Sequence, residues 1–317
     1  MNRKDLVKRA VTMRGPERVP LIFINKDREQ SDLIMIDVVR HFMGADKNVS
    51  EWGFQWVRLD DTMGYPKKEV IGEWEDLSRY VAPAADDPER FREASETRAL
   101  YGSRYYIASL VLTGFTVMTF LRGFANTLQD FYLARDRVEE LADIVFGFEE
   151  QVITRLPAHG FDCVAFYDDW GTQSNLFISP DLWRALFKKR YKKQFDTAHA
   201  NGLDVYFHSC GYIQEIIPDL IDAGVDLLNL GQPNLYDIER LGKEFGGSVC
   251  FVCPVSYQTT AITGTKEDIY READRLITHL GRFQGGLIGY IEEYHSVGMS
   301  DENYRHCINA FRELGVY

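Results

Sequence analysis

"VYFHSCGYIQEIIPDLIDAGVDLLNLGQ" runs from Val205 to Gln232. Two short runs rich in β-branched and aromatic residues, "LDVYFH" (203–208) and "VDLLNL" (225–230), read as strands. Between them, "IIPDLIDAG" (216–224) reads as a helix that stops at Gly224. Strand, helix, strand is the repeating unit of a parallel sheet. The first strand ends in His208 and Cys210, two positions apart. Whether that pair fills the core or binds a ligand has to be decided from the rest of the chain.

The same alternation extends outward in both directions. Strands are predicted at 19–24, 54–59, 105–111, 163–168, 249–254 and 286–292. Helical patterns occupy 136–160 and 179–202; the second opens on Ser-Pro and closes on Asn-Gly, good start and stop signals. Eight strands alternating with helices predict an α/β fold, a (β/α)8 TIM barrel forming one domain over 1–317. A doubly wound open sheet is the runner-up, but the glycine-rich turn that would bind a dinucleotide is missing after the first strand. The stretch from about 60 to 101, including "YPKKEVIGEWEDLSRYVAPAADDPERF" (65–91), is too long for one connection and is expected to form a lid or excursion over the barrel mouth.

Composition narrows the function classes. The chain of 317 residues is 45% hydrophobic and 13% aromatic, enough for a large core and too apolar for disorder. Its formal net charge of −12 argues against nucleic acid as a partner. The one basic run, "KKRYKK" (Lys188 to Lys193), reads as a solvated helix face. No apolar run approaches the roughly 20 residues of a membrane helix. The N-terminal stretch lacks the apolar block of a secretory signal, so a cytoplasmic location is expected. Five cysteines in such a chain predict reduced thiols rather than a disulfide framework.

Side chains at i and i+2 of a strand share a face, so His208 and Cys210 point the same way at the C-terminal strand end, where barrel enzymes place their sites. Imidazole and thiolate are a good pair of zinc ligands, and equally an ordinary buried His beside a small apolar Cys. Asp168 and Asp169 follow another strand; at most one of them faces the lumen, as a metal ligand or an acid–base group, and either can cap the following turn. Tyr167, Tyr212 and Trp170 supply aromatic wall or core, and Arg122 is either an anion contact or solvent-facing. Cys250 and Cys253 spell C-x-x-C, but at i and i+3 of a strand they face apart and cannot chelate one ion. Cys163 and Cys307 read as core and helix filler.

The stretch from Tyr167 to Gln232, with its "HSCG" and "GVDLLNLGQ", resembles the uroporphyrinogen decarboxylase superfamily, and more narrowly its corrinoid-dependent (methylcobalamin) methyltransferase branch. Weaker likenesses lie at "ERVPLIF" (17–23), "TGFTVMTFLRGFANTLQDF" (113–131) and "GGLIGYIEEYHSVGMSDENYRHCINAF" (285–311). The resemblance implies zinc (Zn2+) held by His208, Cys210 and a third residue near the C-terminus. Ungapped matching places that third ligand on Glu293, where relatives carry cysteine or histidine, with His295 in reserve. Asp168, Asp169 and Gln232 are then expected in catalysis, and Asn229, Tyr167 and Tyr212 along the cofactor cavity. The implied activity moves a methyl group between a corrinoid, carried by a partner corrinoid protein, and a small-molecule methyl donor or acceptor. A homodimer is a further expectation from the resemblance. One alternative is decarboxylation of a tetrapyrrole, against which "LIFINKDREQSD" (21–32) offers a single Arg28. Another is a non-catalytic corrinoid- or tetrapyrrole-binding protein.

Overall fold

A computed structural model describes residues 1–39, 48–57 and 64–317. Eight parallel strands close into a barrel: β1 (Leu21–Ile24), β2 (Leu33–Asp37), β5 (Tyr105–Ser109), β6 (Cys163–Tyr167), β7 (Asp204–Ser209), β8 (Leu227–Leu230), β9 (Cys250–Cys253) and β10 (Leu287–Glu292). They follow one another around the ring in chain order, and β1 closes it by pairing with both β2 and β10. β3 (Trp56–Val57) and β4 (Tyr65–Pro66) form a separate antiparallel pair.

Alternate residues of the barrel strands point inward and pack into one apolar lumen that includes Ile22, Ile107, Cys163, Tyr206, Cys250 and Ile288. Val7 and Val11 of the N-terminal helix Arg3–Val11 join this cluster. Strand residues of the opposite parity pack outward against the surrounding helices in a second, larger core. Cys250 faces the lumen and Cys253 the outer core, as their spacing requires. Cys307 is buried on the last helix, Asp301–Leu314.

The strand predicted at 54–59 is not a barrel strand: Trp56–Val57 belongs to the outer hairpin, and 58–59 lie outside the described residues. The second barrel strand is instead Leu33–Asp37, paired with β5 from Leu33↔Tyr105 to Asp37↔Ser109. Parallel neighbours usually need a crossover of a dozen or more residues, and here β1 and β2 are joined through a single 3-10 turn, Arg28–Gln30. Asp32 makes this tight link hold. Its buried carboxylate accepts the Leu21 N–H at 2.9 Å and both prongs of Arg18 at 2.8 Å.

The excursion lies between β2 and β5 and begins before residue 60; its last part, Arg92–Tyr101, is an ordinary helix leading into β5. Arg90 ties it down, buried and two-pronged on Glu51 at 2.7 and 2.5 Å. Arg122 does the same from the barrel side. It pairs with Asp130 at 2.8 Å, lies 4.7 Å over the Trp74 ring and donates to the Ile71 carbonyl. It is therefore buried structure, neither an anion contact nor a solvent-facing group. The basic run behaves as a solvated face: Lys188 pairs with Asp219 and Asp222, and Lys193 with Glu150. No helix among the described residues is long and apolar enough to cross a membrane.

Candidate metal centre

Tyr167, His208 and Asn229 stand in register on three adjacent strands, all facing the lumen at its C-terminal end. The Asn229 amide donates to the Val252 carbonyl at 2.6 Å, which turns its oxygen toward His208 Nδ1 at 2.5 Å. Nδ1 must then carry the proton, leaving the Nε2 lone pair free. Nε2 lies 3.5 Å from Cys210 Sγ and 3.7 Å from Asp169 Oδ1. The Cys210 N–H donates to the same Asp169 oxygen at 2.7 Å. One nitrogen, one sulfur and one oxygen thus lie within 4.8 Å of one another, a donor set suited to a divalent ion.

Electrostatics point the same way. Burial, reinforced by the Asp169 carboxylate, pushes the Cys210 thiol up to about 12. At neutral pH the sulfur keeps its proton unless a cation takes its place, and thiolate coordination supplies that relief.

The turn after His208 is built from backbone. Gly211 has φ +78°, the Gln232 side-chain oxygen accepts its N–H at 2.8 Å, and the Tyr236 hydroxyl donates to its carbonyl at 2.8 Å. Gln232 therefore positions the loop that carries Cys210 and does not line the cavity. Tyr212 stacks on Tyr236 at 5.3 Å, also outside the cavity, and Trp170 stacks in the outer core on Phe115 at 4.3 Å. Of the three aromatics only Tyr167 lines the cavity, its ring 4.6 Å from that of His208.

The paired acids diverge as strand parity demands. Asp169 joins His208 and Cys210 in the donor cluster. Asp168 turns outward, fully buried, and caps the helix Gly114–Arg122 by accepting the Phe115 and Thr116 N–H groups at 2.9 and 2.8 Å and the Tyr191 hydroxyl. Its expected catalytic role is replaced by a structural one. Beside it the equally buried Glu149 accepts the Gly114 N–H at 2.7 Å and the Gln194 amide at 2.7 Å.

Burial raises the Glu149 carboxyl from 4.5 to about 8. The folded chain thus holds a proton that the unfolded chain releases above 4.5. Stability is highest below that value and falls as pH rises to about 8, by roughly 1.4 kcal/mol per unit at most. Glu149→Gln removes this contribution and leaves that of Asp168, whose buried carboxyl is raised from 3.8 to about 7; Gln194 Oε1, which has no partner among the described residues, can turn to accept the new amide. Denaturant unfolding from about pH 5 to about pH 8 should show a flatter profile for the variant, which becomes the more stable protein at the alkaline end.

The structure does not bring Glu293 to His208 and Cys210. Ile288, Tyr290 and Glu292 of β10 face the lumen, and Glu293, one residue on, faces away and pairs with His295 at 3.0 Å. His295 is occupied elsewhere too, by the Met299 carbonyl at 2.5 Å and by Asp301 at 3.1 Å. The carboxylate of the cluster comes from Asp169. Sequence reasoning missed Glu292, Tyr257 and Tyr294; for Glu292 the alternation of β10 carried the signal.

A cavity of about 470 Å³ opens from His208 and Cys210 across the barrel mouth. Tyr257 and Tyr294 form one wall, with the Tyr257 hydroxyl 4.0 Å from Cys210 Sγ, and Arg28, Asp37 and Glu93 lie at the other side. Gly231 borders both: a Cβ there would lie 3.0 Å from His208 Cε1 and 3.4 Å from Cys210 Sγ.

Compared with known proteins, residues 55–313 match the family model of uroporphyrinogen decarboxylase (URO-D). A solved methyltransferase from Methanosarcina mazei superposes with a TM-score of 0.71 at 15% identity, covering 99% of each chain, a likeness of fold. A D-psicose 3-epimerase solved in the presence of D-fructose superposes at 0.48, with 9% identity over 90% of this chain and 89% of its own. No curated protein matches the chain by sequence.

Proposed function

The chain belongs to the uroporphyrinogen decarboxylase family, and from that premise we propose that it is a zinc-dependent methyltransferase. It moves a methyl group between a corrinoid carried by a separate protein and a small acceptor or donor. The observation that carries this reading is the convergence of His208 Nε2, Cys210 Sγ and Asp169 Oδ1 at the mouth of the cavity. Three protein donors leave a fourth position for substrate. Zinc held by these three residues would supply a Lewis acid, suited to keeping a substrate thiol ionised at neutral pH or to drawing charge from a heteroatom that carries the methyl group.

The chain's own residues do the rest. Asn229 holds the His208 ring in the tautomer that presents Nε2. Gln232 fixes the turn that presents Cys210, and Asp169 braces that turn through the Cys210 N–H. Decarboxylation of a polyanionic tetrapyrrole is disfavoured by the cavity wall, where Arg28 is the one Lys or Arg among the described lining residues.

The test is metal analysis of the purified protein beside methyl transfer from methylcobalamin to a panel of thiols. About one zinc per chain with thiol methylation supports the proposal. Zinc without thiol reaction points to the demethylating direction, and a protein that binds no divalent metal sinks the reading. A second prediction concerns the imidazole. Asn229→Ala frees the ring to turn and should weaken zinc binding by roughly 10–100-fold in chelator competition, with the fold retained.

A further inference from the structure

We propose that the acceptor or donor in this cavity is a small cationic amine, its positive charge held at the corner formed by Glu292, Tyr290 and Tyr294; the inference rests on the methyl-transfer reading above. The argument begins with charge. A neutral His208, a Cys210 thiolate and an Asp169 carboxylate together balance a divalent ion, so the loaded metal centre adds no net charge to the cavity. The remaining ionisable wall is Asp37, Glu93 and Glu292 against Arg28. Arg28 is committed, donating to the Met35 carbonyl at 2.7 Å, resting 5.8 Å over the Tyr101 ring and facing Asp37. Glu93 and Glu292 face the cavity with no Lys or Arg paired to either among the described residues.

Geometry then selects the corner. The Glu292 carboxylate accepts the Tyr290 hydroxyl at 2.9 Å and the Tyr294 hydroxyl at 2.6 Å, which orients it on the cavity wall while leaving its charge uncompensated. Tyr257 stacks on Tyr294 at 4.4 Å and reaches to 4.0 Å from Cys210 Sγ, so this corner adjoins the metal centre. A carboxylate with no Lys or Arg beside it on an aromatic wall attracts an ammonium group through its charge. An anion of equal size meets only repulsion there. The volume of about 470 Å³ suits a compact ligand.

Three thiols that share a two-carbon frame isolate the charge: 2-aminoethanethiol, 2-mercaptoethanol and 2-mercaptoethanesulfonate. They are titrated calorimetrically into the metal-loaded protein at low ionic strength, together with tetramethylammonium as a cation without a thiol. The amine is expected to bind about tenfold tighter than the neutral alcohol, with the sulfonate weakest. Glu292→Gln should bring the amine down to the alcohol and leave the alcohol unchanged. Sulfonate binding tightest, or a ranking unmoved by Glu292→Gln, overturns the inference while the methyl-transfer reading stands. If no thiol binds but tetramethylammonium does, and depends on Glu292, the cationic corner stands and thiol methylation falls. If neither binds, the inference falls.

Discussion

Replacing Cys210 by alanine is expected to abolish stoichiometric zinc and, with it, methyl transfer. The sulfur is one of three donors that the fold brings within 4.8 Å, and burial keeps it protonated until a cation displaces the proton. Its loss leaves an imidazole and one carboxylate, a poor site for zinc. The drop in affinity should exceed the roughly 10–100-fold that loss of an orienting partner costs, and activity should fall to background. The fold should survive. Burial holds the thiol as the neutral form without metal, so a methyl group in its place strands no charge. The checks are metal content, chelator competition and thermal unfolding of the metal-free protein, with His208→Ala alongside. Glu293→Gln is the control and should keep its zinc, since that carboxylate pairs with His295 away from the cavity. Full zinc in Cys210→Ala, or its loss in Glu293→Gln, would refute the assignment of ligands.

The contrast between those two variants shows where the sequence was legible. The strands at His208, Asn229 and Tyr167 announce themselves by apolar composition, and alternation then places His208 and Cys210 on one face. Alternation also says that only one of Asp168 and Asp169 can enter the lumen. Which one depends on a buried helix end 52 residues away, where Thr116 claims Asp168, and no local pattern reveals that. The resemblance alone points to a third ligand near the C-terminus. Ungapped matching places it on Glu293, whereas the parity of β10 turns that residue outward. β2 was hidden for a different reason: its tight link to β1 violates the usual crossover length, and what stabilises it is the Arg18–Asp32 pair rather than a helix. Long-range capping and ion pairing are tertiary facts. Strand composition and periodicity are local ones, and these are what could be read.

Gly211→Ala is expected to be the most damaging substitution of a single carbon atom near the site. Two costs coincide there. The residue sits at φ +78°, where a side chain costs about 1–2 kcal/mol. The added Cβ would also lie 2.0 Å from the Gly171 carbonyl oxygen and 2.2 Å from its carbon. Both atoms are backbone, so no side chain can swing aside and the two loops must separate. Separation breaks the Gln232 bond to the Gly211 N–H and the Thr172 carbonyl's bond to the Tyr212 N–H at 2.8 Å. Each costs about 1 kcal/mol or more when its groups stay buried. The sum is several kcal/mol, a large part of an ordinary domain's stability. Gly231→Ala separates geometry from stability. Its new methyl would meet His208 Cε1 at 3.0 Å and Cys210 Sγ at 3.4 Å, side-chain atoms that can give way. That variant should fold nearly normally and bind zinc more weakly, whereas Gly211→Ala should unfold at markedly lower temperature or fail to accumulate. Calorimetric unfolding of both, paired with zinc content, reads the difference. A Gly211→Ala protein as stable as the parent would mean that the Gly171–Gly211 contact does not hold the Cys210 loop in place.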